Sequence, residues 1–283
     1  GDVPSKPFGD DADYAWAPDG RSMVFAARIA GRTEPWSTNF DLYLATVDGA
    51  EAPLNLTAAN PATDAGPVYS PDGRTLYYRA MKRPGFEADR FQIRALDLAS
   101  RNARDIAADW DRSPEGLVVA PDGRTLYTTA ADLGAGSLFA VDVASGKRTR
   151  LDNRGTVAGV TAGRDTIVYG RDDLKSTAQL YRLSPRGGEP VALTRFNAAR
   201  MAGLALGDYE QFTFAGWNGE TVHAYLVKPA NFSAGTKYPL AFLIHGGPQG
   251  SFGNQFHYRW NPQTYAGQGY AAVMVDFHGS TGY

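Results

Sequence analysis

The stretch Tyr14-Ala-Trp-Ala-Pro-Asp-Gly-Arg-Ser-Met-Val-Phe25 decides the fold, because the chain repeats its pattern. Two near-copies read Val68-Tyr-Ser-Pro-Asp-Gly-Arg-Thr-Leu-Tyr-Tyr78 and Leu117-Val-Val-Ala-Pro-Asp-Gly-Arg-Thr-Leu-Tyr127. A degenerate copy without Pro-Asp-Gly runs over Gly163-Arg-Asp-Thr-Ile-Val-Tyr169. Proline sets φ at the second position of a turn, and glycine accepts the positive φ that other residues resist. Each copy therefore predicts a strand, a tight turn and a second strand.

A third strand and a short apolar segment follow each copy. The third strands are predicted over residues 41–47, 91–96, 137–143 and 179–183, and the apolar segments include residues 53–57 and 190–194. Four short strands in about 40–50 residues are typical of a β-propeller blade. We therefore predict a partial β-propeller of four blades over residues 1–205. The alternative is a two-sheet sandwich, and the turn shared by successive units disfavours it.

Residues 206–283 have a different character. Asn218-Gly219 between two strand-like runs, 211–217 and 221–227, predicts a hairpin. Two apolar runs, 238–244 and 270–276, then predict strands buried on both faces. A helix is predicted between them over residues 261–268, ended by Gly269. This order of elements predicts the opening of a parallel α/β sheet, with an unpaired sheet edge beyond residues 270–276.

His245-Gly246-Gly247-Pro248 directly follows the first of these apolar strands. A glycine-rich loop in this place lets backbone N–H groups approach a ligand. In α/β-hydrolases such a loop supplies one donor of the oxyanion hole. The alternative is a simple tight turn between a strand and a helix. We predict that the Gly247 N–H is the donor, that Gly246 gives the loop room to turn, and that a side chain at either glycine displaces the backbone.

The composition of the chain excludes some kinds of site and gives no support for some kinds of partner. The 283 residues suffice for two domains, and a formal charge of −2 gives no reason to expect nucleic acid or an anionic membrane as partner. The absence of cysteine excludes disulfides and thiolate metal sites. We expect no cofactor and no metal. Residues 1–13 do not resemble a signal peptide, so any such signal is expected upstream or already removed.

The motifs together resemble those of the prolyl oligopeptidase family of serine peptidases, and its acylaminoacyl-peptidase and dipeptidyl-peptidase V branch above all. The resemblance rests on a set of specific stretches: the Pro-Asp-Gly blades, residues 81–91, His245-Gly-Gly-Pro-Gln-Gly250, Arg259-Trp-Asn-Pro262, Gln268-Gly-Tyr270 and Asp276-Phe-His-Gly-Ser-Thr-Gly-Tyr283. It implies β-propeller blades followed by the N-terminal part of an α/β-hydrolase domain. It also implies a serine exopeptidase that cleaves short peptides from the N-terminus through an acyl-enzyme, with dipeptidyl and acylaminoacyl specificity both left open.

The chain also departs from the family pattern. Members carry seven or eight blades and a nucleophile in Gly-x-Ser-x-Gly, and this motif does not occur here. We therefore expect a middle segment whose partners are the remaining segments of the same enzyme, and no catalytic triad within the chain. Of the histidines, His223 is interpreted as a sheet residue, His245 and His278 as loop-shaping residues, and His257 is given no role. The sequence also leaves a homodimer open.

In dipeptidyl-specific members, the resemblance implies acidic groups near the free amine of the substrate. An ammonium group that leaves water needs a carboxylate partner. The candidate cluster is Glu87, Asp89 and Arg90, with Glu34 and Trp36 second. The alternative is a solvated loop with local ion pairs.

Two further functions remain open from the sequence. One is a propeller that only binds a partner, and the other is an esterase-like or inactive relative. A hydrolase-type segment after the propeller argues against the first. A periplasmic or secreted location is expected, with the cytoplasm as the alternative.

Overall fold

The computed structural model describes residues 13–247 and 249–283, and these residues are nearly all β. Residues 1–12, most of the N-terminal stretch that does not resemble a signal peptide, and Pro248 lie outside the described residues. The first eight strands are β1 (Tyr14–Trp16), β2 (Ser22–Ala27), β3 (Asp41–Thr46), β4 (Leu54–Asn55), β5 (Asp64–Tyr69), β6 (Thr75–Ala80), β7 (Gln92–Asp97) and β8 (Ala103–Ile106). A 3-10 helix, Gly31–Trp36, lies between β2 and β3.

The next strands complete the repeat region. They are β9 (Leu117–Val119), β10 (Thr125–Asp132), β11 (Ala135–Asp142), β12 (Arg148–Asp152), β13 (Thr156–Ala162), β14 (Ile167–Asp173), β15 (Ser176–Leu183) and β16 (Val191–Ala192). The strands β1–β4 form one antiparallel sheet and β5–β8 a second. A larger sheet has the order β16-β15-β14-β13-β11-β10-β9, with β12 beside β11. This sheet consists of two halves, β9–β12 and β13–β16. They are joined where Gly136 of β11 pairs in parallel with Thr156 of β13. The strands thus fall into the four predicted groups of four.

The three Pro-Asp-Gly turns have the same geometry, as predicted. Gly20, Gly73 and Gly123 have φ of 69°, 70° and 71°. The N–H of each donates to the carbonyl three residues earlier, at 2.9, 2.9 and 2.8 Å. In each turn the aspartate Oδ1 also accepts from the backbone N–H two residues on, at 2.9 to 3.1 Å. The turn is therefore specified by three adjacent residues, which explains why it is recognisable in the sequence.

The chain divides into two compact units. The first contains residues up to 129 together with 139–149 and 162–164, and the second contains 130–138, 150–161 and 165–283. The hairpin of β10 and β11 thus contributes residues to both units. The predicted division into domains 1–205 and 206–283 stays a prediction. In the first unit, the core packs aliphatic side chains of β2, β3, β6 and β7 around the buried Tyr78.

The second unit ends in a four-stranded sheet. Its elements are α1 (Ala198–Ala202), β17 (Tyr209–Ala215), β18 (Thr221–Val227), β19 (Leu240–Leu243), α2 (Pro262–Gly267) and β20 (Ala271–Asp276). The Asn218-Gly219 hairpin forms with φ of 55° and 75°, as predicted. The predicted helix is also confirmed: the Asn261 Oδ1 accepts from the Gln263 N–H at 2.9 Å, which caps α2.

Two details of this sheet contradict the sequence predictions. The strand order is β17-β18-β20-β19, so β20 is paired on both sides and the apolar edge strand is β19. The run 238–244 is also not buried on both faces. Ala241 and Leu243 pack against the core, but Leu240, Phe242 and Ile244 are 62, 53 and 65 % exposed. The apolar composition of the run showed that it forms a strand, but the number of covered faces depends on elements distant in sequence.

Candidate active site at the carboxyl end of the last parallel pair

The candidate site lies where β19 and β20 end. These strands are parallel, with Leu240 beside Ala271 and Leu243 beside Met274. Because the carboxyl ends of adjacent parallel strands meet at one edge of a sheet, the loops that leave them lie together. The first loop, residues 244–254, contains His-Gly-Gly, and the second loop, residues 277–283, contains Gly-Ser-Thr-Gly-Tyr.

The two glycines of the first loop differ. Gly247 has φ of 134°, and a Cβ there would lie 2.5 Å from the backbone nitrogen of Gln249. A side chain at Gly247 would therefore displace the backbone, as predicted. A Cβ at Gly246 meets nothing within 4 Å. The prediction that a side chain at Gly246 displaces the backbone is therefore wrong for a group as small as a methyl. The role of the Gly247 N–H in the oxyanion hole stays a prediction.

His245 begins the first loop and is held by both loops. Its Nε2 lies 2.8 Å from the Oγ of Ser280, and its Nδ1 lies 2.8 Å from the carbonyl oxygen of Gly246. The ring stacks on Phe277 with centroids 4.4 Å apart, and Phe252 contacts it edge-on at 5.8 Å. His245 therefore joins the two loops to each other, which fits its interpretation as a loop-shaping residue.

Asp276, the last residue of β20, accepts hydrogen bonds from both loops. Its Oδ2 accepts from the Ser251 Oγ at 2.7 Å and from the Tyr283 hydroxyl. Its Oδ1 accepts from the Phe252 N–H at 3.1 Å and lies 3.7 Å from the His245 Nε2. Burial, followed by the hydrogen bond to Asp276, raises the pKa of Tyr283, so that the phenol keeps its proton and donates it.

Ser280, His245 and Asp276 do not form a catalytic relay. In a Ser-His-Asp triad, the serine and the aspartate contact opposite ring nitrogens, so that the aspartate orients the base. Here Ser280 and Asp276 both approach the Nε2 of His245, while its Nδ1 faces a backbone carbonyl. These contacts of Ser280, His245 and Asp276 position the two loops and do not activate a nucleophile.

A cleft of about 650 Å³ borders the second loop. Its walls combine the aromatic side chains of Phe214, Trp217 and Phe277 with the polar end of the sheet. At its rim, the His278 Nδ1 lies 2.8 Å from the Glu220 Oε2. The exposed His278 is therefore paired with a carboxylate, away from His245.

The predicted amine-binding residues lie on two loops of the first unit. Glu87 is exposed, on the loop between β6 and β7, and Trp36 is 73 % exposed, on the loop between β2 and β3. The Gly85 N–H donates to the Thr38 Oγ1 at 3.0 Å, which joins the two loops. The structure therefore brings the two predicted groups of residues to one region, and their contact with a substrate stays a prediction.

The other acidic candidates have local partners. Asp89 Oδ2 accepts from the N–H groups of Lys82 and Arg83, both at 2.8 Å. Burial would raise the pKa of Asp89, but these hydrogen bonds outweigh it and the pKa is lowered. The Glu34 carboxylate pairs with the Arg28 guanidinium at 2.7 Å, which lowers its pKa. Because both carboxylates have partners, Glu87 is the more available for an ammonium group. The partly exposed Arg90 adjoins Asp89, and its backbone N–H also lowers the pKa of that carboxyl.

The remaining two histidines lie in the sheet and just beyond the first loop. His223 is in β18 beside Asp276, and its ring lies 4.7 Å from that of Tyr283, which confirms that it is a sheet residue. The His257 Nε2 lies 3.0 Å from the carbonyl oxygen of Phe252.

Asp276 and its partners Ser251 and Tyr283 were not predicted from the sequence to have a role in the site. Their contacts join positions up to 25 residues apart, in a pattern without local periodicity. One signal was present. Ala272, Met274 and Asp276 alternate in phase, so that the carboxylate continues the buried face of an otherwise apolar strand. A charged residue in a buried position needs hydrogen-bond donors.

No group of three or more His, Cys, Asp or Glu side chains in the described part of the chain is arranged to hold a metal ion. Within residues 13–247 and 249–283, no helix has the length and hydrophobicity needed to cross a membrane.

Comparison with known proteins identifies relatives along the whole chain. The chain is 34 % identical over 295 residues to the probable dipeptidyl-peptidase 5 of Emericella nidulans, an alignment that covers 99 % of this chain and 41 % of that protein. Among solved structures, an acylaminoacyl peptidase in complex with Z-Gly-Gly-Phe-chloromethyl ketone has a TM-score of 0.77 at 22 % identity. That comparison covers 95 % of this chain and 40 % of the other.

A puromycin-hydrolyzing peptidase of Mycobacterium tuberculosis has a TM-score of 0.69 at 20 % identity, over 95 % of this chain and 42 % of that one. No protein-family model matches the chain. The chain thus spans about two fifths of the length of the curated relatives that it matches. The resemblance inferred from the motifs is confirmed: over nearly its whole length the chain matches dipeptidyl-peptidase 5 and acylaminoacyl peptidase homologues of the prolyl oligopeptidase family.

Proposed function

We propose that the protein carrying this chain is a serine exopeptidase that removes short peptides from the N-terminus of its substrates through an acyl-enzyme. The observation that carries the proposal is the 34 % identity to a probable dipeptidyl-peptidase 5 along 99 % of the chain. The His-Gly-Gly loop at the carboxyl end of a parallel strand supports it, because this is where α/β enzymes bind their substrates.

In this proposal, β17–β20 and α2 open an α/β-hydrolase domain, and Gly247 supplies one donor of the oxyanion hole. Gly247 is exposed and lies four residues beyond Leu243, the end of β19, so its N–H can face a bound acyl group. One such donor contributes roughly 2.7–4 kcal/mol to transition-state stabilisation. The sequence contains no Gly-x-Ser-x-Gly motif. The nucleophile therefore comes from another segment of the same protein.

The substrate is a short peptide whose free amine binds near Glu87. The exposed carboxylate of Glu87, near the partnered Asp89, provides a negative charge for an ammonium group. The exposed Trp36 lies on the loop that the Gly85–Thr38 hydrogen bond joins to the loop of Glu87. A dipeptidyl-peptidase would need this contact, whereas an acylaminoacyl peptidase would not, because its substrates carry no free amine.

The test is to assay the protein that carries this chain on three chromogenic substrates: a dipeptidyl anilide with a free amine, its N-acetylated form and a simple ester. A preference for the free dipeptidyl anilide supports the proposal in full. Cleavage of the N-acetylated form alone supports acylaminoacyl specificity. Hydrolysis of the ester alone, or of none of the three, contradicts the peptidase function.

A further inference from the structure

We infer that Asp276 is a positioning residue that sets the geometry of the His-Gly-Gly loop, and with it the direction of the Gly247 N–H. The inference rests on the proposed function, since it assigns Asp276 a part in the same reaction. Asp276 touches no substrate in this account. It acts through the loop that it holds.

The contacts of Asp276 bracket the glycines. On one side, the Oδ1 lies 3.7 Å from the His245 Nε2. On the other side, the carboxylate accepts from the Ser251 Oγ at 2.7 Å and from the Phe252 N–H at 3.1 Å. The glycines at 246 and 247 lie between these two fixed points. His245 is held at one end by Ser280 and the Phe277 ring, and Asp276 holds the other end by its hydrogen bonds from Ser251 and Phe252. A short segment with both ends held has few conformations, so the carboxylate limits the directions that the Gly247 N–H can take.

The second loop, residues 277–283, also helps to hold the first loop in place. The Tyr283 hydroxyl donates to Asp276 Oδ2, and Ser280 contacts His245 at 2.8 Å. The Thr281 N–H donates to the carbonyl oxygen of Gly250 at 2.8 Å. The residues that follow β20 therefore hold the first loop through Asp276, through His245 and through Gly250.

The position of Asp276 is itself fixed. It is 6 % exposed and lies at the end of β20, between β18 and β19, where it pairs with His223. A carboxylate only accepts hydrogen bonds, and its two oxygens can serve the three donors that face it. An amide at the same place has one accepting oxygen and turns an NH₂ group toward donors. Only a carboxylate can therefore accept all three hydrogen bonds at position 276. A residue that only filled space there would not need to be a carboxylate.

The experiment compares Asp276→Asn with Asp152→Asn in the protein that carries this chain. Asp152 is a matched control, because its side chain is also buried. It accepts from the Tyr169 hydroxyl at 2.6 Å and from the Arg171 guanidinium at 2.6 Å. It belongs to a blade strand and does not contact the His-Gly-Gly loop. Two properties are measured: kcat and KM on the peptide substrate, and the exchange rate of the Phe252 backbone amide.

We expect Asp276→Asn to lower kcat by about 10- to 100-fold, the effect of misplacing a catalytic group by about 1 Å, with KM changed less than about twofold. Exchange of the Phe252 amide should accelerate at least about tenfold. Asp152→Asn should lower the melting temperature without changing kcat or the exchange rate at Phe252.

Two results would overturn the inference: wild-type kcat in a folded Asp276→Asn protein, or unchanged exchange at Phe252. An equal loss of kcat in Asp152→Asn would also overturn it, since the effect would then be general destabilisation. A wild-type protein that cleaves no peptide would refute the proposed function instead, and the exchange measurement would still decide whether Asp276 holds the loop.

Discussion

At the scale of single residues, the two glycines after β19 have different structural constraints. Of the two, only Gly247 has a backbone conformation that excludes a side chain. Its φ is 134°, and a Cβ there would lie 2.5 Å from the backbone nitrogen of Gln249. Gly246 has open space around it. A substitution at Gly246 can therefore serve as the control for a substitution at Gly247, the proposed oxyanion donor.

Replacing Gly247 by valine should lower kcat by about 10²-fold or more, because most of one donor's contribution is lost. Gly246→Ala should keep kcat within about threefold of wild type. Steady-state kinetics of the protein that carries this chain measures both values. Full activity in Gly247→Val would remove the donor assignment.

The proposed amine contact is also a single-residue prediction. Glu87→Gln should raise KM for a free dipeptidyl substrate by about tenfold, because a charge-assisted hydrogen bond contributes about 1.5–3 kcal/mol. Cleavage of the N-acetylated substrate should not change. Glu51→Gln, at another exposed glutamate, serves as the matched control and should change neither. An equal effect of Glu87→Gln on both substrates would exclude the amine contact.

A buried carboxylate in the first unit predicts a pH dependence of stability. Asp64 is 0 % exposed, and burial raises its pKa to about 7. At Asp64 the folded state therefore binds a proton more tightly than the unfolded state, so the contribution of this group to stability is greatest below about pH 4 and falls as the pH rises toward 7. The slope from this group is at most about 1.4 kcal/mol for each pH unit.

Asp64→Asn should remove this slope, because the amide has no proton to lose. It should raise the free energy of unfolding at pH 8 relative to wild type, while the two proteins converge near pH 4. Urea denaturation at several pH values measures the difference. Parallel curves for the two proteins would show that Asp64 is not the titrating group.

At the scale of elements, the Pro-Asp-Gly turn was predictable and the order of the last sheet was not. The turn depends on three adjacent residues, whose φ and hydrogen bonds recur at Gly20, Gly73 and Gly123. The sheet order depends on β18 pairing with β20, a strand about 50 residues later. The apolar runs in the sequence predicted where the strands lie, but not which strands pair. The hydrogen bonds to Asp276 could not be predicted either, because they also join residues that are distant in sequence.

The repeated turn gives a direct test of the blade structure. Gly73→Ala should destabilise the chain by about 1–2 kcal/mol, because a residue with a Cβ is strained at a φ of 70°. The site has room for the methyl group itself, whose nearest neighbour would be Pro18 at 3.5 Å. Gly116→Ala, where φ is not positive and space is open, is the control and should not destabilise. Equal unfolding free energies for the two variants would contradict the shared turn geometry.

At the scale of the whole molecule, the edge strand β19 and the residue after it present Leu240, Phe242 and Ile244 to solvent. An apolar, unpaired edge strand pairs readily with other chains. The 283-residue chain should therefore self-associate, and Phe242→Lys should shift it toward the monomer. Ile29→Lys removes an apolar side chain from a loop, one that is 66 % exposed against 53 % for Phe242, and should have no effect. Light scattering after size-exclusion chromatography distinguishes these outcomes, and a monomeric wild-type chain would contradict the role given to this edge.

The central claim concerns the protein that carries this chain, and product analysis by mass spectrometry tests it most directly. A synthetic peptide with a free N-terminus is incubated with the protein, and the products are identified over time. The account predicts stepwise release of short fragments from the N-terminus, which Gly247→Val slows about 10²-fold. Cleavage inside the peptide or from its C-terminus, or no cleavage at all, would contradict it.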